Sequence, residues 1–252
     1  MSWVCPTFGR PDRLEELARS WVKCQRQTRL YVRLWTGDPM YLEYKKRKWP
    51  KQLVFYDSDA KGCGEALNDF FQRHPDEPWY GWVADDIVLR TPGGCELLQG
   101  LAEPFFIAYP NDCVQRHRIP THYCIGGDLV REVGWLALPG LEHGFIDNVW
   151  GTLGRSSGLL RYEPRVIFQH KHFLTGQADY DEVYAASYAP GAQTPGTEMH
   201  ERDLARYRDW VDSGEATSLL KQVLGEVFVA CEDWEAWEQE DKANGPVLRA
   251  TA

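Results

Sequence analysis

An α/β architecture, with a mostly parallel central sheet flanked by helices, is the fold class this chain predicts. Two observations predict it. Short runs of β-branched and aromatic residues alternate with segments whose apolar residues recur at helical spacing. The fourth of these runs, Trp79-Tyr80-Gly81-Trp82-Val83-Ala84, ends in two adjacent acids, Asp85 and Asp86, with the apolar Ile87-Val88-Leu89 directly after them. Paired carboxylates at the mouth of a buried strand are costly unless they are solvated or neutralised by a cation such as Mg²⁺ or Mn²⁺. That arrangement suits a hard metal ion carrying a phosphate, so nucleotide-dependent transfer is the first functional expectation. The plain alternative is a strand-end turn with both acids in water.

Each element follows from its own residues. Trp3-Val4-Cys5 reads as a short strand, ended by Pro6-Thr7-Phe8-Gly9-Arg10-Pro11. Asp12 to Cys24 carries Leu14, Leu17, Ala18, Trp21 and Val22 at helical spacing. Leu30 to Trp35 alternates like a strand and stops at Thr36-Gly37-Asp38-Pro39, and Leu53 to Tyr56 is a third strand closed by Asp57-Ser58-Asp59. Cys63 to His74 is a helix with Ala66, Leu67, Phe70 and Phe71 on one face. Ligands of such sheets bind beyond the carboxyl ends of the strands. Arg10, Asp38, Asp57, Asp59, Asp85 and Asp86 all fall at those ends and are expected to converge.

The middle third is less regular. Phe105 to Tyr109 and Tyr123 to Gly127 read as strands, the second leading into a helix through Trp135. A helix is expected over Gly144 to Leu153, then strands at Leu159 to Tyr162 and at Val166 to Phe168. Ser187 to Thr197, rich in Ala, Pro and Gly, reads as a linker. Amphipathic helices follow at Glu198 to Val211 and Glu215 to Glu240, and Lys242 to Ala252 is expected to fray. The division is therefore an α/β domain over 1–185 and a linker with a C-terminal helical extension over 186–252.

Composition narrows the partners. The chain has 252 residues, 43% of them hydrophobic, enough for one sizeable core or a core plus an appendage. Its formal charge of −9 gives no general attraction to nucleic acid or anionic lipid. No apolar run approaches the roughly 20 residues of a membrane span. Seven cysteines without a CxxC pair read as reduced thiols of a cytoplasmic protein.

In the order and spacing of its motifs, over residues 2–173, the chain resembles the glycosyltransferase superfamily with the GT-A fold. It is most similar to small inverting enzymes of the family-two type found in bacteria and phages. Pro6-Thr7-Phe8-Gly9-Arg10 resembles the family's Pro-Thr-x-x-Arg loop, which holds the nucleotide. The resemblance implies further nucleotide-sugar contacts from Asp38, Asp59, Lys61 in the Lys61-Gly62-Cys63-Gly64 turn, Asn68, Asp85, and Gly126-Gly127. It makes Asp86 the metal ligand, with a histidine of His170-Lys171-His172 completing the coordination of Mn²⁺ or Mg²⁺; His172 is taken ahead of His170. Asp147, in Phe145-Ile146-Asp147, stands where the family has a Glu-Asp pair whose Asp is the acceptor base, although here Ile146 replaces the Glu.

Bland readings accompany these. Asp147 suits the first turn of a helix on macrodipole grounds alone. The two histidines also read as a packed or solvated pair, and the two glycines as a tight turn. The implied activity is metal-dependent transfer of a hexose or pentose from a nucleoside diphosphate sugar to a hydroxyl, with inversion. The acceptor is a saccharide, a lipid or a hydroxymethylated pyrimidine in phage DNA. Arg116, Arg118, Arg131, Arg155, Arg161 and Arg165 offer the local positive charge that DNA would need. Two rivals stand beside this reading: a nucleotidyltransferase, and a non-catalytic protein that binds sugar nucleotides or carbohydrate on a GT-A shell.

Overall fold

Trp3, Val4 and Cys5 are wholly buried, so the strand that carries them must be covered on both faces and lies inside the sheet. The computed structural model describes residues 2–25 and 27–224. The strands are β1 (Ser2–Thr7), β2 (Arg29–Trp35), β3 (Leu53–Ser58), β4 (Trp79–Trp82), β5 (Ile87–Leu89), β6 (Ile107–Asn111), β7 (Cys124–Gly126) and β8 (Leu160–His170). The helices are α1 (Pro11–Cys24), α2 (Tyr41–Lys46), α3 (Gly62–Arg73), α4 (Gly94–Ala102), α5 (Gly127–Val133), α6 (Ile146–Ser157), α7 (Glu182–Ala185), α8 (Glu198–Asp212) and α9 (Glu215–Leu224). The helix expected to run on to Glu240 is described as far as Leu224; the rest of it, with Cys231 and Lys242 to Ala252, lies outside the described residues.

The strands form one eight-stranded sheet in the order β3-β2-β1-β4-β7-β6-β8-β5. Parallel pairing joins β3, β2, β1 and β4, and also β6 with β8. β7 runs antiparallel between β4 and β6, and β5 closes the far edge antiparallel to β8. This is the α/β, mostly parallel, GT-A-type sheet with flanking helices that the sequence predicts.

Alternation along the strands sends side chains into two cores. Trp3 and Cys5 join Leu14, Leu17 and Trp21 of α1 and Leu98 of α4 on one face. Val4 joins Leu67 and Phe70 of α3, Trp150 of α6, and Tyr207 and Trp210 of α8 on the other. The C-terminal helices thus share a core with the sheet. Gly81 opposes the Trp3 ring, where an added Cβ would come within 2.3 Å of it. That space lets Trp3 meet Trp21 and Phe168 edge-on at 6.1 and 5.7 Å.

Two strands expected around Tyr162 and Val166 are a single one. β8 runs straight through, but its register against β6 jumps from Pro110↔Glu163 to Asn111↔Ile167. Pro164 lies within that irregularity and cannot donate to a ladder. Glu163 accepts from the Arg165 amide across the irregularity, at 3.1 Å. Helices α2 and α4 were not legible. α4 follows Thr91-Pro92-Gly93-Gly94, which reads as a turn, and Gly93 caps it in the left-handed region at φ 70°.

Gly126 has φ −59°, which any residue adopts, so a tight turn does not explain it. The reason is close backbone approach: a Cβ on Gly126 would lie 1.9 Å from the Pro104 carbonyl oxygen, and one on Gly127 2.1 Å from that of Glu77. Gly127→Ala should therefore destabilise the protein by roughly 1–3 kcal/mol, the ordinary cost of overpacking. A chemical-denaturation midpoint equal to wild type would show that this junction yields freely.

Candidate functional site

Beyond the carboxyl ends of β1 and β4 a cleft of about 570 Å³ opens. Of the residues singled out in the sequence, Pro6, Thr7, Arg10, Lys61, Asp85, Asp86, Asp147 and His172 line it, together with His170. Asp85 and Asp86 leave β4 buried at 5% and 6% exposure, so their charges must be met by protein groups. Arg10 meets both. Its Nη1 stands 3.3 Å from Asp85 Oδ1 and 3.3 Å from Asp86 Oδ2. The other edge of the same guanidinium makes a two-pronged bond to Asp181, at 2.8 and 2.6 Å, and its plane lies 4.3 Å from the centre of the Tyr184 ring.

Hydroxyls complete the shell. Thr7 Oγ1 donates to Asp85 Oδ2 at 2.7 Å, and the Arg10 amide donates to the Tyr44 hydroxyl at 2.7 Å. The Tyr184 hydroxyl donates to Asp86 Oδ2 at 2.8 Å. Asp86 Oδ1 is left without a hydrogen bond, with His170 Nε2 at 3.4 Å. Burial raises the Asp85 pKa, helped by the Asp86 charge and opposed by Arg10. For Asp86 burial acts the same way, but His170 and Arg10 outweigh it and hold the group ionised. Burial would lower His170, yet the attraction of Asp86 prevails and raises it.

The cleft lining also holds the base candidate. Asp147 sits in the first turn of α6, and its Oδ1 is enclosed with no partner. Burial, reinforced by the fully buried Asp112, pushes its pKa up to about 8 against the pull of His170. His122, 2% exposed, accepts from the Ala84 amide at Nδ1 (3.4 Å), which leaves an Nε2–H without a partner. Burial and the neighbouring His170 hold it neutral, with a pKa lowered to about 3.

The remaining expected residues lie elsewhere or are otherwise engaged. Asp38 accepts from the amides of Gly9 (2.8 Å) and Met40 (2.7 Å), and so ties down the loop before Arg10. Asp59 takes the Thr36 hydroxyl, and Asp57 pairs with Lys45 at 2.7 Å. Asn68 uses its amide on Leu136 N, Ala137 N and Ala137 O. His172 accepts from the Leu174 amide at 3.3 Å and packs against Phe173 and Tyr184. Arg131 binds the Glu77 carbonyl, Arg161 stacks on Phe106, and Arg165 pairs with Glu163; none of the basic residues on the acceptor side lines the cleft.

Three residues of the shell escaped the sequence reading. Tyr44 and Asp181 gave no signal in isolation. Tyr184 did, because Tyr180, Tyr184 and Tyr188 recur every four residues inside a stretch rich in loop residues.

The Asp147 shift has a consequence for stability that needs no substrate. A carboxyl held protonated in the folded state up to about pH 8 titrates near 4 when unfolded, so the native protein binds the extra proton in between. Stability contributed by Asp147 is therefore present at low pH and lost as pH rises towards 8. Melting temperature should fall from pH 6 to 8, and Asp147→Asn should flatten that slope. An unchanged slope in the variant would show that Asp147 is ionised in the native state.

The sequence matches no protein-family model and no curated protein. Among solved structures, the chain is similar to a mannosyltransferase from Pyrobaculum calidifontis, solved in complex with GDP-Man and Mn²⁺. The TM-score is 0.55 at 11% identity, covering 97% of this chain and 75% of that one. It is also matched to TarS from S. aureus, at TM-score 0.49, 10% identity and coverage of 89% and 81%. A nucleotidyl transferase from Methanothermobacter thermautotroptrophicus follows at TM-score 0.43, 13% identity and coverage of 84% and 98%. What the chain shares with the first of these is the fold.

Proposed function

We propose that this protein is a glycosyltransferase that moves a sugar from a nucleoside diphosphate sugar to a hydroxyl acceptor. One observation carries the reading: a buried, cation-seeking acid pair and a carboxyl raised to about 8 face one cleft at the carboxyl ends of a GT-A-type sheet. The fold shared with a mannosyltransferase supports it.

A divalent cation fits the residues present. Asp86 Oδ1 is buried without a hydrogen bond, 3.4 Å from His170 Nε2, and with the imidazole proton displaced this carboxylate and imidazole form a donor set that Mn²⁺ accepts. Among the described residues no three His, Cys, Asp or Glu side chains gather round one point, so the remaining ligands would be diphosphate oxygens and water. Asp86 and His170 would hold the ion, His170 taking the part first given to His172. When bound, it would neutralise charge on the departing diphosphate.

The chain's own residues would do the rest. Thr7, Arg10 and Asp85 would shape the floor of the diphosphate site, Arg10 holding the acid pair in place. Asp147, once ionised, would take the proton of the acceptor hydroxyl as that oxygen bonds to the anomeric carbon. The bond from that carbon to the diphosphate oxygen breaks, and its electron pair leaves with the diphosphate. Attack from the face opposite the leaving group inverts the configuration. The acid-rich cleft, with the acceptor-side arginines directed elsewhere, favours a small hydroxyl acceptor over a DNA strand.

A thermal-shift panel of GDP, UDP, GDP-mannose and UDP-glucose, each with and without Mn²⁺, tests the donor site. A nucleotide at a hundredfold excess over its Kd stabilises by about 2.7 kcal/mol, a rise of several degrees. The rise should need Mn²⁺ and vanish in Asp86→Ala; no shift with any nucleotide would remove the donor site. In the transfer assay, Asp147→Asn should cut kcat roughly 10²–10⁴-fold. Wild-type rate should climb with pH up to about 8, as the base form appears. A rate independent of pH between 6 and 9 would take Asp147 out of the reaction.

A further inference from the structure

Helix α8 lies beyond residues 2–173, whose motifs carry the sequence resemblance, yet it grips the loop that delivers Asp147. Asp203, 1% exposed, turns its carboxylate onto three consecutive backbone amides: Glu142 N and His143 N at 2.9 Å each, and Gly144 N at 2.7 Å. Among the described residues no cation pairs with it; Arg202, beside it in sequence, reaches Glu142 Oε1 instead, at 2.7 Å. The charge of Asp203 is thus held by the loop amides, and the loop is held by that charge.

The gripped segment faces two ways. On one side the Glu142 carbonyl accepts from Cys63 N (2.8 Å) and Gly64 N (3.0 Å), fixing the start of α3, where Lys61 and Gly62 line the cleft. On the other side Phe145 opens α6 with φ 62°, a left-handed conformation that a bulky residue adopts only under constraint. α8 supplies that constraint. Tyr207 stacks on Phe145 at 5.5 Å and 17°, His200 packs on its ring at 5.1 Å, and the Tyr207 hydroxyl bonds Thr152 at 2.7 Å. Two residues after Phe145 comes Asp147.

We infer that Asp203 is a positioning residue: its carboxylate fixes the 142–144 loop, and through it both the start of α6 with Asp147 and the α3 turn, which line the cleft. It is not among the residues that line the cleft. Its link to catalysis rests on the transferase reading above, whereas its hold on the loop does not. Asp203→Asn keeps the side chain's size, removes its charge and sets an NH₂ donor against N–H donors.

The test compares wild type, Asp203→Asn and Asp203→Glu as full-length chains. Amide hydrogen exchange at Glu142, His143 and Gly144 should quicken at least tenfold in Asp203→Asn, while amides of α1 keep their protection. Mn²⁺-dependent GDP release from GDP-mannose, or UDP release from UDP-glucose, should lose at least tenfold in kcat with KM within threefold. Asp203→Glu keeps the charge on a longer arm, so it should retain most of the exchange protection and lose less in kcat. Unchanged exchange in Asp203→Asn, or a raised KM at constant kcat, would overturn the inference. If Asp203→Asn does not fold, amides of Glu142, His143 and Gly144 that exchange in the wild-type protein as fast as freely exposed loop amides would overturn it. A wild-type protein inert toward every nucleotide sugar overturns the transferase reading; quickened exchange in Asp203→Asn would then still establish the grip on the loop.

Discussion

Everything around the cleft answers one electrostatic constraint: two adjacent carboxylates, Asp85 and Asp86, buried at the end of a central strand. Stripping one partner from such a buried charge cluster costs about 3–5 kcal/mol, so the surrounding elements are bound to satisfy it. The loop after β1 contributes Thr7 and Arg10, the segment between β2 and β3 contributes Tyr44, the end of β8 contributes His170, and α7 contributes Tyr184. Arg10 is the centre of that arrangement, shared between the acid pair and Asp181. Three carboxylates surround one guanidinium, and His170 stands against the fourth side of the cluster at Asp86.

The cleft has walls of different origin. The strand ends and the first turns of α3 and α6 build the floor and the side bearing Asp147. The segment after β8 closes the other side with a cluster of aromatic rings, in which Phe173 packs on Tyr180, Tyr184 and Tyr188 at 5.3, 4.8 and 5.0 Å. The stretch read as a linker therefore lines the site, through Ser187, Tyr188 and Pro195. The helices after it join the main core through Tyr207, Trp210 and Leu220.

How far the sequence revealed this depended on how local the cause was. β1, β2 and β4, and the amphipathic faces of α1 and α3, are local patterns, and their elements stand where the pattern places them to within a residue or two. The acid pair was legible because unpaired carboxylates next to an apolar run are unusual anywhere. Less legible were side chains whose role is set by a distant backbone. Asn68 reads as a phosphate-side polar group until its amide is seen holding residues 136–137. Asp38 reads as a ribose ligand until Gly9 N is found on it. Asp203 is one acid among several on an amphipathic helix, and only the fold shows which amides it meets. Strand pairing sets His170, rather than His172, beside Asp86, and periodicity over three residues cannot resolve that.

β8 works as a ruler. Its first half is measured against β6 and its second half against β5, where His170 pairs with Ile87. The same residue donates its amide to the Asp112 carbonyl at 2.9 Å, and Lys171 N reaches the Asp86 carbonyl at 2.9 Å. Side chains on a strand alternate between faces, so one residue gained or lost between Pro164 and His170 would present the neighbour of His170 to Asp86 instead. Exposed turns of this chain have room to vary in length over evolutionary time. The six residues after Pro164 do not, and among distant relatives their number should persist where their identities drift.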